Sequence, residues 1–215
     1  MKQILTVLLA FIWLSLIPCC KSSSRGPKTF CDSVCLHDTL KFVGNFPMKP
    51  YLNITANNCK PDSIFRGYDG MGRSLKIKFD YPDFSFNKSA VKCIFKDTSA
   101  VYLLFNDCAT GRGYQLLLPF NTTGTVSKRS SGINNIDPKF YVDEGLIAYT
   151  DRGNIYVDQV LTGKSAMMTF GQNTGMDYDV IHETLDSVHI TPERIYVKIK
   201  LDNKWTDLEK NISFN

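Results

Sequence analysis

The chain has 215 residues, a formal net charge of +4 and 43% hydrophobic residues. A nucleic-acid-binding protein usually gathers its basic residues on one face, but this sequence has no basic block beyond the pair Lys128–Arg129. These features exclude nucleic acid as a partner and favour one folded domain of ordinary composition.

The first residues predict a secretory signal peptide over residues 1–19. Lys2 gives the chain a positive start, and an apolar segment runs from Ile4 to Ile17. This segment has about fourteen residues, whereas a helix that crosses a bilayer needs roughly twenty. We therefore expect the protein to be exported.

The residues that follow are Ile17, Pro18, Cys19 and Cys20, and then the polar stretch KSSSRGP. They resemble the end of a bacterial lipoprotein signal, in which an apolar residue and two small residues precede a cysteine that carries the lipid. The resemblance implies lipidation at Cys20, a membrane-lipid anchor and a flexible tether over residues 20–30. Ordinary secretion after cleavage nearby and a retained apolar anchor are the alternatives.

An exported chain meets an oxidising compartment, in which disulfides persist. Beyond Cys20 the cysteines are Cys31, Cys35, Cys59, Cys93 and Cys108. We expect one bridge within residues 31–59, which hold the first three of them. A bridge between the last two is disfavoured, because a hairpin that turns at Thr98–Ser99 would place Cys93 opposite about residue 104.

Past residue 40, apolar and polar residues alternate, and Gly-, Asp- and Asn-containing turns separate the runs. The predicted strands are Leu40–Val43, Tyr51–Thr55, Leu75–Phe79, Val91–Phe95, Val101–Phe105, Tyr114–Leu118, Phe140–Val142, Leu146–Thr150, Ile155–Gln159, Ala166–Phe170, Val188–Ile190, Arg194–Leu201 and Trp205–Phe214. One short helix is predicted near residues 176–186, where Val180, Ile181 and Leu185 recur at helical spacing. The sequence therefore predicts an all-β protein.

Three stretches, which begin near residues 91, 138 and 186, repeat a short strand, a polar turn, a longer apolar strand and a second turn. Their period of about 48 residues is near that of a four-stranded propeller blade. The stretch EGLIAYTDRGNIYVDQVLTGKSAMMTF resembles such a blade. The resemblance implies blade-like antiparallel repeats over residues 91–215, as a propeller or an open β array, with a β-sandwich as the alternative. Residues 31–90 are expected to form a separate cysteine-containing β segment.

The signal that ends in cysteine, the Cys31–Cys35 segment and the stretch LIAYTDRGNIYVDQVLTGK together resemble uncharacterised exported lipoproteins of Bacteroidota. This resemblance implies a location in the cell envelope and brings no activity with it. The chain also has Asn-x-Ser/Thr triplets at Asn53, Asn87, Asn121 and Asn211. These would be glycan acceptors in a eukaryotic protein, so a soluble, glycosylated, secreted binding protein is an alternative.

No motif in the sequence predicts catalysis, a bound metal or a cofactor. The stretch HETLD begins like a zinc-protease helix, but Asp186 occupies the position of the second histidine ligand. The Gly-x-Ser-x-Gly motif of many hydrolases does not occur. We therefore expect no enzyme activity; a secreted hydrolase whose site is assembled from dispersed residues is the alternative.

Trp205 is the candidate ligand-binding aromatic residue. It is the only tryptophan beyond the signal peptide, and it follows the turn LDNK, so it would project from a hairpin. An exposed aromatic ring beside polar residues suits binding to a glycan or a peptide. The sequence thus predicts a binding or structural role at the cell envelope, with an envelope protein or a glycan as the partner.

Overall fold

The computed structural model describes residues 35–81, 87–170 and 176–215. The predicted signal peptide and tether, with Cys20 and Cys31, lie outside these residues. The described residues form fifteen β-strands and one short α-helix. The prediction of an all-β protein is therefore confirmed.

In chain order the strands are β1 Leu40–Val43, β2 Pro50–Asn57, β3 Lys60–Tyr68, β4 Ser74–Lys78, β5 Val91–Phe95, β6 Ala100–Asn106, β7 Gly113–Pro119, β8 Ser127–Ile133, β9 Phe140–Val142, β10 Leu146–Asp151, β11 Asn154–Gln159, β12 Ser165–Thr169, β13 Leu185–Ile190, β14 Arg194–Leu201 and β15 Lys204–Asn211. The helix α1 spans Ile181–Thr184 and follows a 3-10 turn at Tyr178–Val180. It lies within the segment 176–186, so the prediction of a short helix there is confirmed.

Strands β1 to β4 form an antiparallel sheet in which each strand pairs with the next. The β2–β3 hairpin turns at Asn58 and Cys59, whose φ angles are 49° and 65°. A two-residue turn with two positive φ angles matches the right-handed twist of the strands that it joins. Cys59 is disulfide-bonded to Cys35. The bridge ties the chain before β1 to this turn, and it lies within the 31–59 segment, as predicted.

The other two described cysteines are not bonded to each other. Cys93 is a free cysteine on β5, where it pairs with Leu103 of β6. Cys108 takes part in a disulfide. The β5–β6 hairpin turns between Phe95 and Ala100, so its register keeps Cys93 and Cys108 apart, as the sequence indicated.

The central sheet has seven strands in the order β12-β11-β10-β8-β7-β6-β5, and every pair in it is antiparallel. Strand β9 leaves this sheet and pairs in parallel with β13. It completes a C-terminal sheet in the order β15-β14-β13-β9. The blade-like stretch that begins near residue 138 is therefore divided between two sheets, and the described sheets form an open array.

Two apolar cores hold the sheets together. The first lies between the β1–β4 sheet and strands β5 to β7, and its buried residues are Leu36, Leu52, Ile54, Ile64, Phe79, Val101, Leu103, Phe105, Leu116, Leu118 and Phe120. The second lies between strands β10 to β12 and the C-terminal sheet, where Ile155 and Val157 pack with Val188, Ile195 and Val197. Burying one such side chain contributes about 1.5–3 kcal/mol.

Strands β3 and β8 do not appear among the strands predicted from the sequence. Strand β3 begins with Lys60, Pro61 and Asp62, and β8 reads SKRSSGI, so neither shows the apolar alternation of a half-buried strand. Each is paired on both sides, β3 with β2 and β4, and β8 with β7 and β10. These two strands are held by backbone hydrogen bonds to a neighbour on each side. Such pairing leaves no apolar pattern in the sequence, so the pattern did not predict them.

Candidate functional site

The C-terminal sheet has one side packed on the second core and one side exposed to solvent. In β14, Ile195, Val197 and Ile199 are buried, so the alternate residues of this strand point away from the core. We call this exposed side the outer face. It carries Tyr141, His189, Arg194, Tyr196, Lys198, Lys200, Trp205, Asp207 and Glu209.

A row of side chains crosses the outer face from strand to strand. Tyr141 of β9 is aligned with His189 of β13. His189 is aligned with Tyr196 of β14, and Tyr196 with Glu209 of β15. Since neighbouring strands lie about 4.8 Å apart, the row extends over about 14 Å.

Tyr141 and His189 form an aromatic stack within this row. Their ring centroids are 4.5 Å apart and the ring planes differ by 17°. Tyr141 is 47% exposed, and its hydroxyl donates a hydrogen bond to Oδ1 of Asp143 at 2.6 Å. This hydrogen bond raises the pKa of Tyr141, so the hydroxyl stays protonated and the ring is held in place.

Tyr196 is anchored in the same way. Its hydroxyl donates a hydrogen bond to Oδ1 of Asp207 at 2.7 Å, and this bond raises the pKa of Tyr196. A carboxylate has about four lone-pair positions, so Asp143 and Asp207 keep acceptor positions after binding a tyrosine hydroxyl. The row therefore combines fixed aromatic rings with carboxylate acceptors.

Trp205 stands at one end of the outer face, beside the β14–β15 turn. The turn residues Asp202 and Asn203 have φ angles of 46° and 62°, and Trp205 pairs with Lys200. The indole is 49% exposed, so it projects from the hairpin as the sequence predicted. Along β15, Asp207 lies between Trp205 and the end of the row, which is about 14 Å away.

Ion pairs balance the charges of the outer face. Arg194 Nη1 lies 3.2 Å from Glu209 Oε1, and Lys198 Nζ lies 3.3 Å from Asp186 Oδ2. Such exposed pairs contribute about 0–1 kcal/mol each. They leave the face with mixed charge, so a neutral polar ligand meets no strong field of one sign.

A cavity of about 290 Å³ adjoins the Tyr141 end of the row. Asp143 and Glu144 line it, together with Lys92 and Phe95 of the central sheet and Phe46 of the β1–β2 connection. Asp143 thus belongs both to this cavity and to the hydrogen bond of Tyr141.

The residues that begin like a zinc-protease helix do not form one. Helix α1 ends at Thr184, so His182 lies in the helix whereas Asp186 lies on β13. Among the described residues, no three His, Cys, Asp or Glu side chains come together as a metal site. The described part of the chain also contains no helix long and apolar enough to cross a membrane.

The sequence predicted the exposed position of Trp205, but it did not single out Tyr141 and Tyr196, which lie on the same face. The available signal was the alternation in RIYVKIKL, which places Tyr196 and the lysines on the side opposite the isoleucines. No local pattern predicts that Tyr141 is aligned with His189, because the two residues are 48 positions apart in the chain and lie on strands that pair in parallel. Comparison with known proteins adds no family: no protein-family model, curated protein or solved structure matches this chain.

Proposed function

We propose that the protein is an exported, lipid-anchored protein of the cell envelope that binds a glycan through its outer face and has no catalytic role. One observation carries the binding role: the Tyr141–His189 stack and the half-exposed Trp205 lie on the same solvent-facing side of one sheet. The lipoprotein-like signal that ends at Cys20 supports the location.

The chemistry of the outer face favours a glycan over other ligands. A sugar ring has a face of C–H groups, which packs on the electron-rich face of an aromatic ring. Its hydroxyl groups donate hydrogen bonds, and the carboxylates of Asp143 and Asp207 accept them. Because Trp205 stands about 14 Å from the Tyr196–Glu209 pair along β15, a ligand that touches both is an extended chain of sugars.

Retention by polysaccharides tests this proposal. We expect the mature protein to be retarded in native gels that contain xylan or hydroxyethylcellulose, or to sediment with peptidoglycan sacculi. Replacing Trp205 or Tyr141 by alanine should weaken retention about tenfold, because each removes a buried contact of about 1.4 kcal/mol or more. Trp205→Ala should leave the melting temperature nearly unchanged, because the indole is half exposed, whereas Tyr141→Ala also removes the stack on His189 and should destabilise the protein by about 1 kcal/mol.

Leu161→Ala is the matched control, since Leu161 is a large exposed apolar residue outside the outer face. The polysaccharides should retain this variant as strongly as they retain the unchanged protein. If none of the three polysaccharides retains the protein, or if Leu161→Ala weakens retention as much as Trp205→Ala does, then the outer face is not a glycan-binding surface.

A further inference from the structure

Arg66 is a charged residue on the inner side of the β1–β4 sheet. It lies on β3 between Leu52 of β2 and Leu75 of β4. Leu52 is fully buried in the first core, and Arg66 itself is only 4% exposed. The guanidinium therefore occupies a position at which the strand pattern calls for an apolar side chain.

The guanidinium of Arg66 is only partly satisfied by the protein. Its Nε donates a hydrogen bond to the carbonyl oxygen of Pro119 at 2.6 Å. Its Nη1 is buried without any hydrogen-bond partner, and among the described residues no carboxylate forms an ion pair with it. Burial lowers the pKa of Arg66. An unpaired buried cation is costly, so this position is suited to a group that brings a negative charge.

A cavity of about 450 Å³ lies beside Arg66, between the β3–β4 hairpin and the chain that follows β7. Its walls are largely apolar: Tyr68, Met71, Leu75 and Phe120 line it, and the rings of Tyr68 and Phe120 lie 5.3 Å apart. Arg73 is a second cation in the lining, and no Asp or Glu of the described residues takes part in it.

The two properties of this cavity specify one ligand class. A guanidinium presents a planar fork of N–H donors that matches a carboxylate in two parallel hydrogen bonds. The aromatic and aliphatic walls match a hydrocarbon body, as in most small-molecule sites. We propose that this cavity is a binding site for a small organic carboxylate, whose charge pairs with Arg66 and whose apolar part packs on Tyr68 and Phe120.

This site is separate from the outer face, since Arg66 lies on the β1–β4 sheet and the outer face belongs to the C-terminal sheet. The proposal therefore stands or falls independently of glycan binding. A benzoate ion is a suitable probe, because it combines a carboxylate with a flat apolar ring that a cavity of about 450 Å³ can hold.

The first experiment titrates the mature protein with sodium benzoate, benzamide and sodium phosphate at low ionic strength, followed by backbone NMR shifts. We expect benzoate to bind, with the largest shifts at Tyr68, Leu75 and Phe120. Benzamide has the same shape without the charge, and it should bind at least about tenfold more weakly. This comparison requires no variant.

The second experiment uses Arg66→Met, which keeps a similar volume, with Arg152→Met as the control at an exposed arginine elsewhere. We expect Arg66→Met to lose benzoate binding and to melt no lower than the unchanged protein, because it removes an unpaired buried charge. Arg152→Met should bind benzoate normally. Arg66→Lys keeps the positive charge but loses the planar set of N–H donors, so this variant should bind benzoate more weakly than the unchanged protein.

Three results would overturn the proposal. Equal binding of benzamide and benzoate would show that the charge is not recognised. Binding of phosphate without binding of benzoate would show a site for free inorganic anions. A melting temperature of Arg66→Met far below that of the unchanged protein, with benzoate shifts spread over the surface, would show that Arg66 only supports the fold.

Discussion

At the scale of single residues, His182 is a titratable side chain in a buried position. It lies in α1 with its side chain buried, and its Nε2 has no hydrogen-bond partner. Burial lowers the pKa of the imidazole, and the positive charges of Lys139 and Arg112 add to this effect, whereas Glu183 and a backbone hydrogen bond to Thr110 oppose it. The fold therefore favours the neutral imidazole of His182 over the protonated form.

This burial predicts a pH dependence of stability. Because the pKa of His182 is lower in the folded protein than in the unfolded chain, the unfolded chain takes up the proton first as the pH falls. The stabilising contribution of neutral His182 is complete above the ordinary pKa of 6.5 and is lost as the pH falls below it. We expect the free energy of unfolding to fall between about pH 7.5 and about pH 5.5.

Urea unfolding at the two pH values checks this expectation in the unchanged protein and in His182→Gln. The variant should lose less stability on acidification, because it has no imidazole to protonate. His37→Gln, at an exposed histidine, controls for the loss of an imidazole as such. The same reduction in both variants, or in neither, would contradict the role assigned to His182.

At the scale of elements, the pairing of β7 with β8 depends on two glycines that face each other. Gly113 pairs with Gly132, and the register shifts between Gly113 and Gln115. A Cβ added at Gly113 would overlap the carbonyl oxygen of Gly132, whereas one added at Gly132 would come 3.1 Å from Cγ of Gln115. The first contact is a severe overlap with backbone, whereas at Gly132 the contacts, including backbone atoms of Gly113 and Tyr114 at 3.3 Å, are tight but need a shift of only a few tenths of an ångström.

The two alanine substitutions should therefore differ. We expect Gly113→Ala to lower the free energy of unfolding by about 3 kcal/mol and Gly132→Ala by about 1 kcal/mol, at the two ends of the usual range for overpacking. Urea titration of both variants measures the difference. If Gly132→Ala is as destabilising as Gly113→Ala, then the strands move apart in both cases and the close approach of backbones is not the cause.

These glycines also show why β8 escaped prediction. Its sequence SKRSSGI has no apolar alternation, and a glycine within a strand usually argues against one. Strand β8 forms because β7 and β10 supply hydrogen bonds on both of its edges. By contrast, the β5–β6 hairpin was predictable, because Thr98–Ser99 separates two apolar runs that pair locally.

At the scale of the whole molecule, the central sheet serves both apolar cores. Its β5–β7 end packs on the β1–β4 sheet, and its β10–β12 end packs on the C-terminal sheet. A third cluster, which includes Tyr102, Leu104, Ile147 and Val160, connects the two ends of the central sheet. The Arg66 cavity and the outer face thus belong to sheets at opposite ends of one continuous scaffold.

The proposed anchor also belongs to this scale, because it sets where both surfaces act. We expect the protein from membranes of its native host to begin at Cys20 and to carry acyl chains. Each CH₂ group of such a chain that is buried in the bilayer contributes about 0.8 kcal/mol to membrane binding. Intact mass and N-terminal peptide analysis check this. Cys20→Ser should move the protein to the soluble fraction, whereas Cys19→Ala should leave it acylated. An unmodified chain that starts near Ser23 would instead mean a freely diffusing protein.

The sequence by itself determined the all-β class, the short helix, the hairpin turns and the segment that contains the Cys35–Cys59 bridge. These follow from alternation, turn residues and spacing, which are local properties of the chain. Only the tertiary structure decided that β9 leaves the central sheet, that Tyr141 stacks on His189 and that Arg66 is buried beside a cavity. Each of these depends on pairing between segments far apart in the chain, and a register slip of one residue would turn the same side chains to the other face.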